Sequence, residues 1–292
     1  MQSDLETSRP HFSIATPTRN DLDKLKRCIG SVRGQTSVRV EHLIQDAQST
    51  DGTADWLAAE EGLDYRSEAD HGMYDAINRA WGRARGQILA WLNSDEQYLP
   101  GALARVADFF YRHPNVDVVF GNYVVCQANG EPVALRREIP FRRIYVTNSF
   151  LNTQSCTLFF RRRLLDRGWL QFDTRYRYAS DKDLMLHLAR RGACIRHVQQ
   201  YIALFGIDGS NLSTHPQMLA EAEQVRRAHG SFVNPSIRQL ILAGRRLERL
   251  ARGAYAAQKF TYRYAVDEVP NYIEFEADGL GGRYALSDAK QG

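Results

Sequence analysis

Three stretches carry acidic side chains where they could do chemistry together. "NSDE" (Asn93, Ser94, Asp95, Glu96) follows the apolar run "QILAWL", Asp46 follows "VEHLIQ", and Glu68 and Asp70 follow "LDYRS". Further on, Asp181 and Asp183 open a helical pattern in "YASDKDLMLHLARRG". A single carboxylate after a strand is usually a turn or cap residue, and that is the reading for Asp21 and Asp51. Several on one rim raise one another's pKa unless a cation lies between them. A hard divalent ion, bound by carboxylate oxygen and shared with a ligand's phosphates, would relieve that repulsion.

The elements that must position these groups alternate. "HFSIA" reads as a strand and "TPTRND" as a turn, after which Leu22, Leu25, Cys28, Ile29 and Val32 recur at helical spacing up to Gly34. "VEHLIQ" is a second strand, with a helix around residues 54–61 after "STDGT". A third short strand near "LDYRS" precedes a helix marked by Met73, Ile77, Ala80, Trp81 and Ala84 and stopped by Gly86, and "QILAWL" is the fourth strand. Strands alternating with helices imply a parallel sheet with right-handed crossovers. Its ligands lie beyond the carboxyl ends of the strands. Those ends carry Thr16 and Thr18, Asp46, Glu68 and Asp70, and Asp95 and Glu96.

Other chemistries lack their motifs. GxxxxGK[ST], GxGxxG after the first strand, HExxH and GxSxG are all absent. The chain has 292 residues, 43% hydrophobic and 25% charged, with a net charge of +4, which is too small to argue for nucleic acid. The four cysteines form no CxxC pair, which fits reduced thiols in the cytoplasm rather than a zinc site or a disulfide framework. The start is polar and no run of about 18 apolar residues occurs, so neither secretion nor a membrane span is expected, and the sequon at Asn211 carries no meaning.

The run "IATPTRN…SVRGQ…VEHLIQDAQSTDGT…SEADHGMYDAINRAWGRARGQILAWLNSDEQYLPGAL" strongly resembles the nucleotide-sugar-binding half of inverting family 2 glycosyltransferases, nearest to their bacterial polysaccharide-biosynthesis branch. The similarity is dense over residues 11–105 and thins from 145 to 215. It implies an α/β fold of the GT-A type, a Rossmann-like, mostly parallel sheet flanked by helices, with a helical C-terminal extension. It also implies a nucleotide-sugar-binding half (11–115) and an acceptor-binding half of the same domain (116–215), and the sequence outside them reads as a disordered N-terminus (1–10) and a mainly helical, basic extension (216–292). Thr16, Pro17, Thr18 and Asp46 would hold the nucleobase, while Glu68, Asp70, Gly72 and Asn78 would line the nucleotide pocket. "NSDE" matches the DXD-type motif, with Asn93 in place of the first acid, Ser94 beside the substrate and Asp95 as ligand of Mn²⁺ or Mg²⁺ on the diphosphate.

"FLNTQSCTLFFRRRLL" resembles the family's HQ-containing strand, Gln154 matching and Thr153 replacing His. Asp181 aligns with the catalytic base and Asp183 with a structural acid, and His197 stands where a third metal ligand can occur. The plain reading of the same helix start is a capping box, Ser180 with Asp183. The resemblance implies transfer of a sugar from a nucleoside diphosphate sugar, UDP favoured, to a hydroxyl of a glycan or lipid-linked acceptor. A nucleotidyltransferase, or a degenerate scaffold or sugar-nucleotide sensor, are the alternatives.

After about residue 215 the sequence turns helical and basic. Ile237, Leu240, Ile241, Leu247, Leu250 and Ala254 approximate one stripe, with Arg238, Arg245, Arg246, Arg249 and Arg252 around it. The ordinary expectation is a helix packed by that stripe with a solvated basic face. The other is peripheral contact with anionic lipid at the inner face of the membrane.

Overall fold

The structure is a computed structural model describing residues 11–208 and 215–284. The disorder expected of residues 1–10 and the sequon at Asn211 fall outside the described residues. Four short strands lie parallel, as their spacing predicts. β1 (Phe12–Thr18) runs between β2 (Val40–Asp46) and β4 (Ile88–Trp91), and β3 (Asp64–Ser67) pairs with β2. The register fixes the site: Thr18 lies opposite Asp46, Asp46 opposite Ser67, and Ala15 opposite Trp91, so all four chains leave the sheet at one edge.

The connecting helices are α1 (Leu22–Arg33), α2 (Thr53–Ala59) and α3 (Met73–Gly82), each burying its apolar stripe. Gly86 is not the stop of α3, which ends four residues earlier. A Cβ at Gly86 would lie 2.6 Å from the Ser13 nitrogen, so the residue is needed for a close backbone approach between loop and β1.

The second half is mixed. β5 (Glu96–Tyr98) and α4 (Ala102–Arg112) lead to β6 (Val118–Gln127) and β7 (Pro132–Arg136), then α5 (Arg143–Asn148), β8 (Phe159–Arg161) and α6 (Arg162–Asp166). α7 (Ser180–Arg190) and β9 (Ile195–Ile207) complete it. The strand order is β3-β2-β1-β4-β8-β6-β9-β5, with β7 on β6; β8 is antiparallel to β4 and β6, and β5 to β9. The stretch around Gln154, read as a strand, is a loop with a single 3₁₀ turn at Ser155–Thr157. Its strand is only Phe159–Arg161.

One core cluster joins the two halves. Trp81 of α3 stacks on Phe172 at 5.2 Å and Trp91 of β4 on Phe160 at 6.0 Å, with Leu184, Met185 and Leu188 of α7 in the same cluster. Burying several aromatic rings at once fixes α7 against the nucleotide half.

The extension begins with the expected helices and adds two strands after them. α8 (Pro216–Ala228) and α9 (Pro235–Ala251) are helices, but a hairpin of β10 (Gln258–Ala265) and β11 (Tyr272–Leu280) follows. Tyr262 and Tyr264 alternate inward on β10 and pack on Leu99, Val124 and Leu204. α9 also presents the opposite face from that expected: Leu240 is 76% exposed and Arg249 only 4%. Arginine is tolerated inside because it is paired, with Glu138 at 2.8 Å.

Candidate active site

On the nucleotide side, Asp46 is fully buried and accepts hydrogen bonds from the Ser49 amide at 3.1 Å, the Ser49 hydroxyl and the Ser67 hydroxyl at 2.5 Å. Glu68 accepts from Gln45 at 3.0 Å and faces Arg79 at 3.4 Å. Asp70 accepts the Gly72 amide at 2.8 Å, and Gly72, with φ 112°, opens α3 in a conformation that favours glycine. Pro17 and Thr18 are buried at the end of β1, and the Thr18 hydroxyl has no protein partner.

Two of the expected site residues are bonded within the protein. Thr16 turns inward, its hydroxyl 2.8 Å from His42 Nε2, and burial holds that imidazole down at about 3. The Asn78 amide is bonded to the Phe172 backbone, donating and accepting at 2.9 Å. Both residues therefore support the walls of the site.

The "NSDE" turn is held at both ends. The Asn93 amide donates to Glu96 at 2.9 Å, and the Ser94 hydroxyl to Asp21 at 2.7 Å. The Ser155 hydroxyl also donates to Glu96, which ties the Gln154 turn to this one. Asp95 borders a cleft with Lys24, Arg27, Gln127, Asp208 and Tyr264. Gly206 lets β9 approach: a Cβ there would sit 2.6 Å from the Asp95 carbonyl oxygen. Burial, then Asp208 and Asp21, push the Asp95 carboxyl up, against Lys24. Lys24 lies 2.5 Å from Asp208 and 3.3 Å from Asp21.

His197 does not join Asp95. Glu96 pairs with Phe205 of β9, and His197 is eight residues earlier on that strand, roughly 20 Å or more away at about 3.3 Å per residue. Its ring lies on Phe120 and bonds Asn122 at 2.9 Å, and burial lowers it to about 4. Among the described residues, no three His, Cys, Asp or Glu side chains converge as metal ligands. Asp95 and the buried, unpartnered Asn93 Oδ1 are nonetheless hard oxygen donors, the type suited to Mg²⁺ or Mn²⁺ that keeps phosphate oxygens and water as further ligands.

Asp181 lies in the first turn of α7, where the Lys182 amide donates to it at 2.7 Å and the Tyr74 hydroxyl adjoins it. Burial raises its pKa, against these two donors. Tyr74 is the second residue of α3, which begins just past the β3 end, so the second half's acid stands at the edge where the four strands emerge. The capping box does not form. The Ser180 hydroxyl donates to the Asp173 carbonyl at 2.9 Å, and Asp183 pairs with His229 at 2.8 Å. Glu221 of α8 instead accepts the amides of Arg177, Tyr178 and Ala179 at 3.0, 2.7 and 3.1 Å.

Lys24, Asp208, Tyr264 and Glu221 were not among the expected site residues. Their partners are remote in the chain, and the only local signal was Asp21 three residues before Lys24.

Comparison with known proteins follows the same outline. A PGL/p-HBAD biosynthesis glycosyltransferase of Mycobacterium bovis is 36% identical over 126 residues, 41% of this chain and 49% of that protein. A Nostoc glycosyltransferase is 25% identical over 212 residues, 68% of this chain and 66% of that one. The chain thus spans about half the length of its mycobacterial relatives. The GT-A fold is shared with S. aureus TarS 1-349 in complex with UDP-GlcNAc, at a TM-score of 0.61, 17% identity and coverage of 82% and 72% of the two chains. It is shared also with the mannosyltransferase PcManGT of Pyrobaculum calidifontis in complex with GDP-Man and Mn2+, at a TM-score of 0.56, 18% identity and 82% and 70% coverage. A family model, Glycosyl transferase family 2, matches residues 13–171, more than half of the sequence, and the chain belongs to that family.

Proposed function

We propose that the protein transfers a sugar from a nucleoside diphosphate sugar, UDP favoured, to a hydroxyl of a glycan or lipid-linked acceptor, with inversion at the donor carbon and at the cytoplasmic face of the membrane. The observation that carries this is the meeting of the two halves: Asp181, from the second half, reaches Tyr74 at the edge where Asp46, Glu68 and Asp95 emerge. The UDP-GlcNAc complex of TarS and the complex of PcManGT with GDP-Man and Mn2+ support the choice of donor.

In this reading the pocket of Thr18, Asp46, Glu68 and Asp70 receives the nucleoside, and Ser94 and Gln154 border the sugar. A divalent ion held by Asp95 and Asn93 would supply positive charge to the departing diphosphate. Asp181 accepts the acceptor's hydroxyl proton as its oxygen bonds to the donor carbon and the carbon–diphosphate bond breaks. A raised pKa moves the acid limb of activity above the usual 3.8 of an aspartate, because only the carboxylate accepts a proton.

Calorimetry with UDP-, GDP- and dTDP-sugars, with and without Mn²⁺, tests the donor. Asp95→Ala is expected to remove the Mn²⁺-dependent part of donor affinity. Asp181→Asn is expected to keep donor affinity and lose roughly 10²–10⁴-fold in turnover. Donor binding without any turnover in the wild type would instead favour a sensor, and unchanged turnover in Asp181→Asn would move the base elsewhere.

A further inference from the structure

Helix α9 is built inside out. Arg238, Arg245 and Arg249 recur at i, i+7 and i+11 and turn inward, donating to the Asn148 carbonyl at 3.1 Å, the Ser149 hydroxyl at 2.5 Å and Glu138 at 2.8 Å. On the opposite side, at i, i+3, i+7 and i+10, stand Leu240, Ala243, Leu247 and Leu250, and the three leucines are 76, 65 and 58% exposed. Val233, just before the helix, is 96% exposed. An amphipathic helix normally buries such a stripe, and an outward one marks an interaction surface.

We propose that this leucine face docks on an anionic lipid surface, the helix lying in the plane of the interface. The charge around the stripe selects that occupant. Residues 229–252 contain one acid, Glu248, which is held by Arg142 at 2.8 Å and Arg252 at 3.0 Å, while Arg246 beside the stripe and Arg143 on the adjoining α5 are exposed. This rim complements anionic headgroups. A second copy would set the same cations against each other with no acid to answer them. With 17 residues, roughly 26 Å at about 1.5 Å per residue, the helix is suited to lying on a bilayer, and no helix among the described residues is long and apolar enough to cross one.

The inward face of the helix, opposite the docked one, adjoins the proposed acceptor side. Arg245 bonds the Ser149 hydroxyl, and the Ser149 carbonyl accepts from Lys182, the chain neighbour of Asp181, at 2.9 Å. Only this last link, the delivery of a lipid-anchored acceptor, rests on the proposed transfer.

The experiment is sedimentation with vesicles of phosphatidylcholine alone or with 30% phosphatidylglycerol, paired with sedimentation velocity without lipid. The full chain is expected to bind the anionic vesicles, more weakly at 0.5 M salt because surface charges are screened. Leu240→Gln with Leu247→Gln should lower the partition at least about tenfold and leave the melting temperature unchanged, since both side chains are outside the core. Arg246→Gln should weaken binding to anionic vesicles only. No vesicle binding, equal binding by the double variant, or self-association that the double variant abolishes would each overturn the proposal. Transfer to a water-soluble acceptor, measured on the same variants, separates this outcome from failure of the transfer reading, because docking needs no donor.

Discussion

Asp95 and Glu96 are adjacent in the chain but sit in different surroundings. Asp95 borders the cleft, whereas Glu96 is fully buried with the Asn93 amide and the Ser155 hydroxyl on its oxygens. Burial, and then the neighbouring Asp95, push the Glu96 carboxyl well up from its usual 4.5. A raised acid contributes stability that is present below its unfolded pKa and is lost as pH rises through the folded one. Glu96→Gln removes that loss while keeping an acceptor and a size match. Its melting temperature relative to wild type is therefore expected to climb from pH 5 to pH 9, by about 2–5 °C; a difference that stays flat over this range would show that Glu96 is ionised throughout. At this scale the sequence was partly legible. Asp95 and Asp181 could be read because an acid after a strand or at a helix start is a local pattern. Lys24 with Asp208, and Glu96 with Ser155, could not, because each pair meets only through the fold.

At the scale of elements, β1, β2, β4, α1 and α3 were legible because each carries a period of apolar residues, and the short β3 and α2 because turn signals and the alternation of strand and helix mark them. β5 was not, since three residues hold no period, and the inward face of α9 was not, since the apolar stripe gives no hint that Glu138 and two polar groups of the Asn148–Ser149 turn await its arginines. The start of α7 shows a similar replacement of local by tertiary contact, with α8 supplying the carboxylate of Glu221 to three successive amides ahead of Asp181. Glu221→Ala leaves those amides without their acceptor. Hydrogen bonds to a charged group contribute about 1.5–3 kcal/mol each when buried, but Glu221 is only half-buried, so a loss of about 1–3 kcal/mol in total is expected. The kinetic signature is more specific: turnover and acceptor KM should both worsen while donor affinity by calorimetry holds. A fall in donor affinity of equal size would mean that α8 supports the whole domain and not the Asp181 loop.

Over the whole molecule, the C-terminal hairpin lies beyond residues 13–171 of the family match yet forms part of the wall around Asp95. Gln97, two residues after Asp95, donates to the Ala265 carbonyl at 3.0 Å and accepts its amide at 2.8 Å. Tyr264 lines the cleft, its hydroxyl bonded to the Ala128 carbonyl at 2.6 Å, and burial lifts that phenol to about 12, so it stays a neutral donor at physiological pH. The ring and the hydroxyl therefore do separable things. Tyr264→Phe keeps the ring against Phe275 and loses one hydrogen bond, about 1 kcal/mol. Tyr264→Ala removes the ring, costing about 3–5 kcal/mol as for other buried aromatics, and opens the cleft beside Lys24 and Arg27 to water. If the hairpin is part of the site, donor affinity should be near wild type in Tyr264→Phe and clearly weaker in Tyr264→Ala at a temperature where both remain folded. Melting curves and donor calorimetry on the two variants decide it: Tyr264→Ala that melts early but binds donor as tightly as wild type would make the hairpin a brace for β5, β6 and β9 with no part in shaping the cleft.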